Sequence, residues 1–332
     1  MSQKNNLNLL KIKRAFLFIF CLSFFLVPSQ NWYSVVQANA LPPLIQEINI
    51  DLPKIAFYPV NLEKEPLPFL TARSFVVVDK DSFALMAGRN ENLRVLPAST
   101  VKVMTALVAL DNYHLDDILT VGELEDNGQD IKLLPGEKMT FKNLLYGLLV
   151  ASGNDVALVL AQNYPGGMLT FVKAMNQKAE DLNLTHTYFA NPTGLDSDPQ
   201  GNLLTDLSYT SALDLARLAA YALKNQLLLE IFSTRSVTIT DVEGKIKHKL
   251  ENINELLNYF PGMKGVKTGF TQEAGECLVG YTEQDNRGII TVVLGSDDRF
   301  GETVKLTNWV FENFRWTNLT PSIENQPLGQ NQ

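Results

Sequence analysis

Runs of β-branched and aromatic residues lie near both ends of the chain body, and longer amphipathic segments lie between them. Residues 73–79 and 83–87 predict a β-hairpin, because two apolar runs flank a short polar turn. Strand patterns return late in the sequence. They cover residues 236–240, 265–270, 277–282 and 287–294.

The middle of the chain favours helices, which its longer amphipathic segments indicate. Thr140 is a suitable N-cap for one of them. The predicted helices cover residues 98–110, 141–150, 155–163, 168–182, 211–224 and 302–314. Strands at both ends around a helical middle predict an α+β fold, in which both ends of the body build one antiparallel sheet and the helices form an insert.

The N-terminus has the composition of an export segment. A basic segment at residues 11–14 precedes an apolar run of about 13 residues at 15–27. An Ala-x-Ala sequence at 38–40 offers a cleavage site, although the apolar run ends well before it. Residues 1–40 are therefore predicted to be either a signal peptide or an N-terminal membrane anchor, and the second alternative gives an association with the membrane.

Two further segments differ from the chain body. Residues 41–66 contain five prolines and mixed charges, which predict a linker or an extended lead-in. The residues after Trp316 are polar, and we expect residues 317–332 to form a flexible tail.

Charge and the scarcity of metal ligands exclude several classes of protein. The formal net charge is −8, and the first 40 residues hold four basic residues and no acidic one, so the rest carries −12. An acidic body without a basic tract argues against a nucleic-acid partner. His114, His186 and His248 are scattered, and none has a cysteine or a second histidine at ligand spacing. We therefore expect neither a metal nor another cofactor.

A serine and a lysine at the start of a predicted helix are the first candidates for catalysis. The sequence lacks Gly-x-Ser-x-Gly, and its scattered histidines do not support a Ser-His-Asp triad. Ser99 and Lys102 are three residues apart, which places them on one face of a helix. A lysine acts as a base when it is neutral, and burial or a second cation lowers its pKa. Taken alone, the pair is better explained by Ser99 as a helix cap and Lys102 as a solvated helix residue.

Two later motifs change this interpretation. Ser152-Gly153-Asn154 lies between two apolar helices, and Lys267-Thr268-Gly269 lies in a late strand. The set Ser-x-x-Lys, Ser-Asp-Asn and Lys-Thr-Gly is shared by class A β-lactamases and penicillin-binding proteins, and here Gly153 replaces the aspartate. In this order, behind a predicted export segment, residues 67–316 resemble the catalytic domain of the low-molecular-mass D-alanyl-D-alanine carboxypeptidases. The stretches 191–196 and 210–216 support the resemblance.

The resemblance implies a fold and a set of roles. The fold would be that of β-lactamases and DD-peptidases, an antiparallel five-stranded sheet flanked by helices with an all-helical subdomain. Ser99 would attack the carbonyl between two terminal D-alanines, and Lys102 would activate it. Ser152 would relay a proton to the leaving D-alanine, and Asn154 would hydrogen-bond the substrate amide or Lys102.

The late strand would bind the substrate. Lys267 would add positive potential, Thr268 would bind the substrate carboxylate, and Gly269 completes this motif. The backbone N–H groups of Ser99 and Phe270 would form the oxyanion hole.

Two residues leave questions open. Some relatives carry histidine where this chain has Phe270, which changes the wall of the pocket. Arg299 lies where relatives place an arginine near the substrate carboxylate, and it is equally consistent with a surface charge at a helix start.

The implied partners are peptidoglycan stem peptides, with β-lactam antibiotics as inhibitors, and the implied location is outside the cytoplasm. Three alternatives remain. A serine β-lactamase would share the nucleophile and the fold, and Glu180 only partly matches the glutamate of class A enzymes. A non-catalytic peptidoglycan-binding homologue would not need the base. A DD-endopeptidase would use the same site on cross-links.

Overall fold

The computed structural model describes residues 57–124, 128–198 and 202–318, all within one unit of the chain, Ile55–Gln332. The predicted signal peptide or anchor, residues 41–56 of the predicted linker, and residues 319–332 of the predicted tail lie outside the described residues.

The described strands and helices follow one another in the order that the sequence predicts, with several additions. The strands are β1 (Phe57–Asn61), β2 (Ser74–Asp79), β3 (Leu85–Arg89), β4 (Ile118–Thr120), β5 (Lys138–Thr140), β6 (Ser236–Thr240), β7 (Lys247–Glu251), β8 (Met263–Thr271), β9 (Gly275–Gln284), β10 (Arg287–Ser296) and β11 (Phe314–Asn318). A 3₁₀ turn at Ala98–Val101 leads into the first helix. The helices are α1 (Lys102–Asn112), α2 (Phe141–Leu149), α3 (Asn154–Asn163), α4 (Gly167–Asp181), α5 (Ala212–Ala222), α6 (Gln226–Ser233), α7 (Leu256–Tyr259) and α8 (Arg299–Asn313).

The predicted five-stranded antiparallel sheet is confirmed. Its order is β3-β2-β10-β9-β8, so strands from both ends of the body are neighbours. In the central pair, Val77 of β2 lies opposite Thr291 of β10. Both strands are buried on both faces, because helices cover the sheet on each side. Strand β8 forms one edge of this sheet.

Apolar clusters hold the helices to both faces of the sheet. On one face, Leu306 and Val310 of α8 belong to a cluster with Phe75, Val77 and Val293. On the other face, the alternate strand residues join a larger cluster that includes α1 and the helices around it. The side chains of two consecutive turns of α1, residues 102–109, are all buried. A polar side chain on this helix is therefore removed from water by the fold itself.

The start and the end of the described chain pair with each other. Strand β1 lies within the segment predicted as a linker, and it pairs antiparallel with β11, which continues beyond Trp316 to Asn318. Residues 57–61 of the predicted linker or extended lead-in thus form a strand. The sequence pattern did not indicate this strand, because it contains Pro59 and proline is rare in most strands. A two-stranded ribbon with exposed edges tolerates it.

Some shorter elements also differ from the predictions. The helix predicted from residue 98 begins with a 3₁₀ turn, and Ala98 has φ of +48°. Helix α5 starts after Ser211, whose side chain accepts a hydrogen bond from the backbone N–H of Asp214. Helix α6 was not predicted, although Asn225 caps it in the same way.

Replacing Leu306 by alanine tests the packing of α8 on the sheet. The Leu306 side chain is fully buried, so Leu306→Ala is expected to lower the free energy of unfolding by about 2–5 kcal/mol. Urea denaturation followed by circular dichroism measures this change. Leu85→Ala, on the exposed face of the edge strand β3, is the control and should change it by less than about 0.5 kcal/mol. Equal unfolding midpoints for both variants would contradict the packing described here.

Candidate active site

Ser99 lies in the 3₁₀ turn that leads into the buried helix α1. Two glycines allow the surrounding backbone to approach it. A Cβ atom on Gly194 would lie 1.9 Å from the carbonyl oxygen of Ala98, and one on Gly269 would lie 3.0 Å from the Ser99 nitrogen. Gly194 also has φ of +83°, a conformation that disfavours other residues. The turn, the Gly194 loop and strand β8 therefore meet around Ser99.

The Lys102 amine has three oxygen neighbours and is fully buried. Its Nζ lies 2.7 Å from Ser99 Oγ, 2.6 Å from Asn154 Oδ1 and 3.2 Å from the carbonyl oxygen of Thr193. The amide and backbone carbonyl oxygens can only accept hydrogen bonds. A neutral amine can donate its two protons to them and direct its lone pair at the Ser99 hydroxyl. The geometry therefore suits a lysine that accepts the serine proton.

Burial sets the protonation of this amine. Loss of hydration lowers the pKa of Lys102 to about 7, against the opposing effect of the Asp155 and Asp130 carboxylates. A large fraction of the amine is therefore neutral near neutral pH.

The Ser152-Gly153-Asn154 turn brings its two polar side chains to the same place. Ser152 has φ of +60° and is buried, and it lines the cleft above Ser99. Asn154 begins α3, and its backbone N–H donates to the carbonyl oxygen of Gln129 at 2.7 Å. A Cβ atom on Gly153 would lie 2.7 Å from Asp155 Oδ1, which explains why this chain has glycine between the serine and the asparagine.

The Lys267-Thr268-Gly269 motif lies on the edge strand β8. Lys267 is buried, and its Nζ donates to the carbonyl oxygen of Thr268 at 2.9 Å. Burial lowers the pKa of Lys267 well below its ordinary value, and the positive charges of Lys102 and Arg299 lower it further. Lys267 and Lys102 thus oppose each other's protonation across the base of the site.

Arg299 is half-buried at the start of α8 rather than a solvated surface charge. Its guanidinium donates from Nη1 to the carbonyl oxygen of Gly269 at 3.0 Å. Its backbone N–H donates to Glu276 Oε2 at 2.9 Å. These bonds place the arginine beside the Lys-Thr-Gly strand.

A cleft of about 300 Å³ opens above these groups. It is bounded by the serine turn, the Ser-Gly-Asn turn, strand β8 and α8. Its lining residues are Ser99, Gln129, Ser152, Ile253, Thr268, Gly269, Phe270 and Arg299. The Phe270 side chain is 61% exposed at its mouth. The structure thus brings all the predicted site residues together, with Lys102, Asn154 and Lys267 buried behind the cleft.

Three residues of the site were not predicted from the sequence. Gln129 and Ile253 lie in loops without a recognisable motif, and Thr193 takes part through its backbone oxygen. The turn at residues 191–196 was noticed in the sequence and does hold Thr193, because Asn191 Oδ1 accepts from the backbone N–H groups of Thr193 and Gly194.

The part of the chain that the structure describes contains no group of three His, Cys, Asp or Glu side chains placed to hold a metal ion. The buried groups around Ser99 are amines, amides and hydroxyls, which suit proton transfer between side chains.

Comparison with known proteins identifies a family to which this chain is similar. The profile of the family described as D-alanyl-D-alanine carboxypeptidase matches residues 61–298. A D-alanyl-D-alanine carboxypeptidase of Bacillus subtilis is 35% identical over 253 residues, which cover 73% of this chain and 63% of that protein. One of Mycobacterium tuberculosis is 33% identical, with 74% of this chain and 84% of that protein covered.

A solved structure has the same fold. The Streptomyces K15 DD-transpeptidase superposes on this chain with a TM-score of 0.68 at 29% sequence identity. The superposition covers 75% of this chain and 100% of the transpeptidase chain. Since the family profile spans most of the chain and the relatives exceed 30% identity, the chain belongs to the D-alanyl-D-alanine carboxypeptidase family.

Proposed function

We propose that this protein is a serine-type D-Ala-D-Ala carboxypeptidase that removes the terminal D-alanine from peptidoglycan stem peptides. The observation that carries the proposal is the Lys102 amine, buried between two carbonyl oxygens with its remaining side toward Ser99 Oγ at 2.7 Å. An amine held in this way is ready to take a proton from a nucleophile.

In the acylation step, Ser99 Oγ attacks the carbonyl carbon of the penultimate D-alanine, and its proton passes to Lys102 Nζ. The carbonyl oxygen becomes an oxyanion, which the backbone N–H groups of Ser99 and Phe270 stabilise. The C–N bond then breaks. Ser152 gives its proton to the leaving amine and regains one from Lys102, so that D-alanine departs and the shortened peptide stays on Ser99 as an ester.

Water completes the cycle. It attacks the ester carbonyl and loses a proton to the neutral Lys102 amine, and the Ser99 oxygen leaves and is reprotonated. The products are the shortened peptide with a free carboxylate and the regenerated enzyme.

The opposite wall of the cleft suits the carboxylate of the terminal D-alanine. Thr268 offers a hydroxyl, and the Arg299 guanidinium, which donates to the carbonyl oxygen of Gly269, adds positive potential close to it. Burial disfavours a charge on Lys267, so its expected contribution to that potential is reduced. Gly269 has no side chain to obstruct the strand edge. Asn154 holds Lys102 and is available to the substrate amide.

β-Lactam antibiotics would acylate Ser99 by the same chemistry and remain attached. Class A β-lactamases need a glutamate that activates water, and Glu180, which partly matches that motif, is exposed near the end of α4. It is not among the described residues that line the cleft. This favours a penicillin-binding peptidase over a β-lactamase, and the complete set of reactive groups favours an enzyme over a non-catalytic homologue.

A second candidate activity is DD-endopeptidase cleavage of cross-links. A Pseudomonas aeruginosa relative named D-alanyl-D-alanine endopeptidase is 33% identical over 249 residues, close to the identity of the carboxypeptidases. Chromatography of products from purified cross-linked and uncross-linked muropeptides separates the two activities, since only an endopeptidase converts dimers into monomers.

The site of action would be outside the cytoplasm, where peptidoglycan lies, and the N-terminal apolar segment would direct export or hold the protein at the membrane. Within residues 57–124, 128–198 and 202–318, no helix has the length and apolar character needed to cross a membrane.

Replacing the nucleophile is the direct test. Ser99→Ala is expected to abolish both the release of D-alanine from diacetyl-L-lysyl-D-alanyl-D-alanine and the covalent adduct with penicillin, because it removes the hydroxyl that lies 2.7 Å from Lys102 Nζ. Mass spectrometry of the intact protein and of its peptides locates the adduct. Ser236→Ala, at an exposed serine of β6, is the control and should react like the wild type. An adduct on Ser99→Ala would refute the assignment.

The pH dependence of acylation tests the role of Lys102. Its amine accepts a proton only when neutral, so the acylation constant at saturating penicillin should rise with pH through about 7 and then level off. At saturating penicillin, the measured constant reports acylation and not the pH dependence of binding the penicillin carboxylate. Lys102→Met keeps the apolar stem. It should lower the constant by about 10²–10⁴-fold on the plateau above pH 7 and remove its rise with pH. A constant that falls as pH rises through this range would exclude Lys102 as the base.

A further inference from the structure

A buried histidine and glutamate, which take no part in the steps above, form a pair next to the active site. His248 on β7 is 8% exposed, and Glu137, just before β5, is 5% exposed. His248 Nε2 lies 2.8 Å from Glu137 Oε1, and His248 Nδ1 lies 3.0 Å from the carbonyl oxygen of Ile131. The other carboxyl oxygen of Glu137 accepts from the backbone N–H of Leu134 at 3.0 Å.

These partners determine where the protons lie. The carbonyl oxygen of Ile131 can only accept, so His248 Nδ1 carries a proton and donates it. A second proton must lie between His248 Nε2 and Glu137 Oε1, since both atoms otherwise present lone pairs to each other. The pair therefore joins strand β7 to the segment 131–137 by hydrogen bonds that are almost completely shielded from water, where such bonds are strong.

Ile131 connects this pair to the catalytic turn. A Cβ atom on Gly153 would lie 3.2 Å from Ile131 Cγ2, so the isoleucine side chain packs on the backbone between Ser152 and Asn154. The backbone of Ile131 is also fixed, because its N–H donates to Asp155 Oδ1 at 3.2 Å. Ile131 thus lies between a buried hydrogen bond to His248 and the glycine of the Ser-Gly-Asn turn.

The segment also reaches the cleft directly. Gln129, two residues before Ile131, lines the cleft, and its carbonyl oxygen accepts from the backbone N–H of Asn154. Its side-chain amide donates to the carbonyl oxygen of Ala151 at 3.1 Å. A shift of Ile131 would therefore move both the support of Asn154, which orients Lys102, and one wall of the cleft.

We propose that His248 and Glu137 are positioning residues of this active site: their hydrogen-bonded pair fixes Ile131, and Ile131 fixes the backbone that presents Ser152 and Asn154. The proposal rests on the function proposed above, and it extends that function to two residues that touch neither substrate nor reacting atoms.

Removing the histidine is the first test. His248→Phe keeps a planar ring but loses both hydrogen bonds, and it should lower kcat for release of D-alanine from diacetyl-L-lysyl-D-alanyl-D-alanine about tenfold or more, since small displacements of reacting groups reduce rates strongly. KM should change little, because Thr268 and Arg299 lie on β8 and α8 and keep their contacts. Acylation by a fluorescent penicillin should slow by the same factor as kcat.

The glutamate offers a conservative rescue. In Glu137→Gln, the amide oxygen can accept from the N–H of Leu134 while the amide N–H donates to a neutral His248, so all the hydrogen bonds persist. This variant should keep kcat within about twofold of the wild type. Glu137→Leu has a similar volume and no polar atoms, and it should resemble His248→Phe. Equal losses in Glu137→Gln and Glu137→Leu would overturn the proposal.

A matched control separates positioning from general loss of stability. Val310→Ala removes buried atoms of α8 on the far face of the sheet, and well below its Tm it should retain the kcat of the wild type. Hydrogen–deuterium exchange of segment 128–137 should rise in His248→Phe and not in Val310→Ala. Hydrogen–deuterium exchange does not depend on catalysis. An unchanged exchange in His248→Phe would therefore overturn the positioning role of the His248–Glu137 pair and leave the proposed function standing. An inactive wild-type protein would overturn the proposed function instead. A kcat of His248→Phe equal to that of the wild type would also overturn the proposal.

Discussion

The burial of the Lys102 amine is the constraint on which the site depends. An isolated ammonium in an apolar interior is strongly disfavoured, and a protein avoids that state by pairing the group or by releasing its proton. Here the surroundings provide carbonyl oxygens from Asn154 and Thr193 that accept from a neutral amine. The fold creates the burial by placing α1 at the centre of the helical region, with residues 102–109 all buried. The reactive state of the lysine is therefore a consequence of where the helix lies.

Backbone strain is located beside this amine. Ala98 precedes the nucleophile with φ of +48°, and Ser152 has φ of +60°. Such conformations of residues with side chains are disfavoured by about 1–3 kcal/mol and persist where the surrounding contacts determine them. At Ala98 the contact is the close approach of Gly194, and at Ser152 it is the packing of Gly153 against Ile131 and Asp155. Each strained residue thus lies in a turn that contacts the same lysine, one through Ser99 and the other through Asn154.

The sequence predicted the individual strands and the three catalytic motifs because both depend on local patterns, and the family resemblance implied the five-stranded sheet. Continuous runs of apolar residues mark β2 and β10, and the motifs of Ser99, Ser152 and Lys267 occur in a fixed order. Pairing between β1 and β11 was missed because it joins distant segments, one of which contains a proline. The place of His248 could not be predicted either. Its partners Glu137 and Ile131 are more than 100 residues away in the sequence, with separations of 111 and 117, and nothing near the histidine indicates them.

The two walls of the cleft are stabilised by different interactions. Thr268 and Gly269 belong to β8, and backbone hydrogen bonds to β9 fix that wall whatever the side chains do. The Ser152 wall is a turn, and carboxylates support it: Asp155 accepts from Ile131 and Leu133, and Glu137 holds His248. A carboxylate near Lys102 also raises its pKa, as Asp155 does, so the support of this wall opposes the neutral state that the base needs. Burial outweighs that effect only while the turn stays packed against α1. The groups that hold the turn in place therefore also preserve the protonation state of the lysine that it faces.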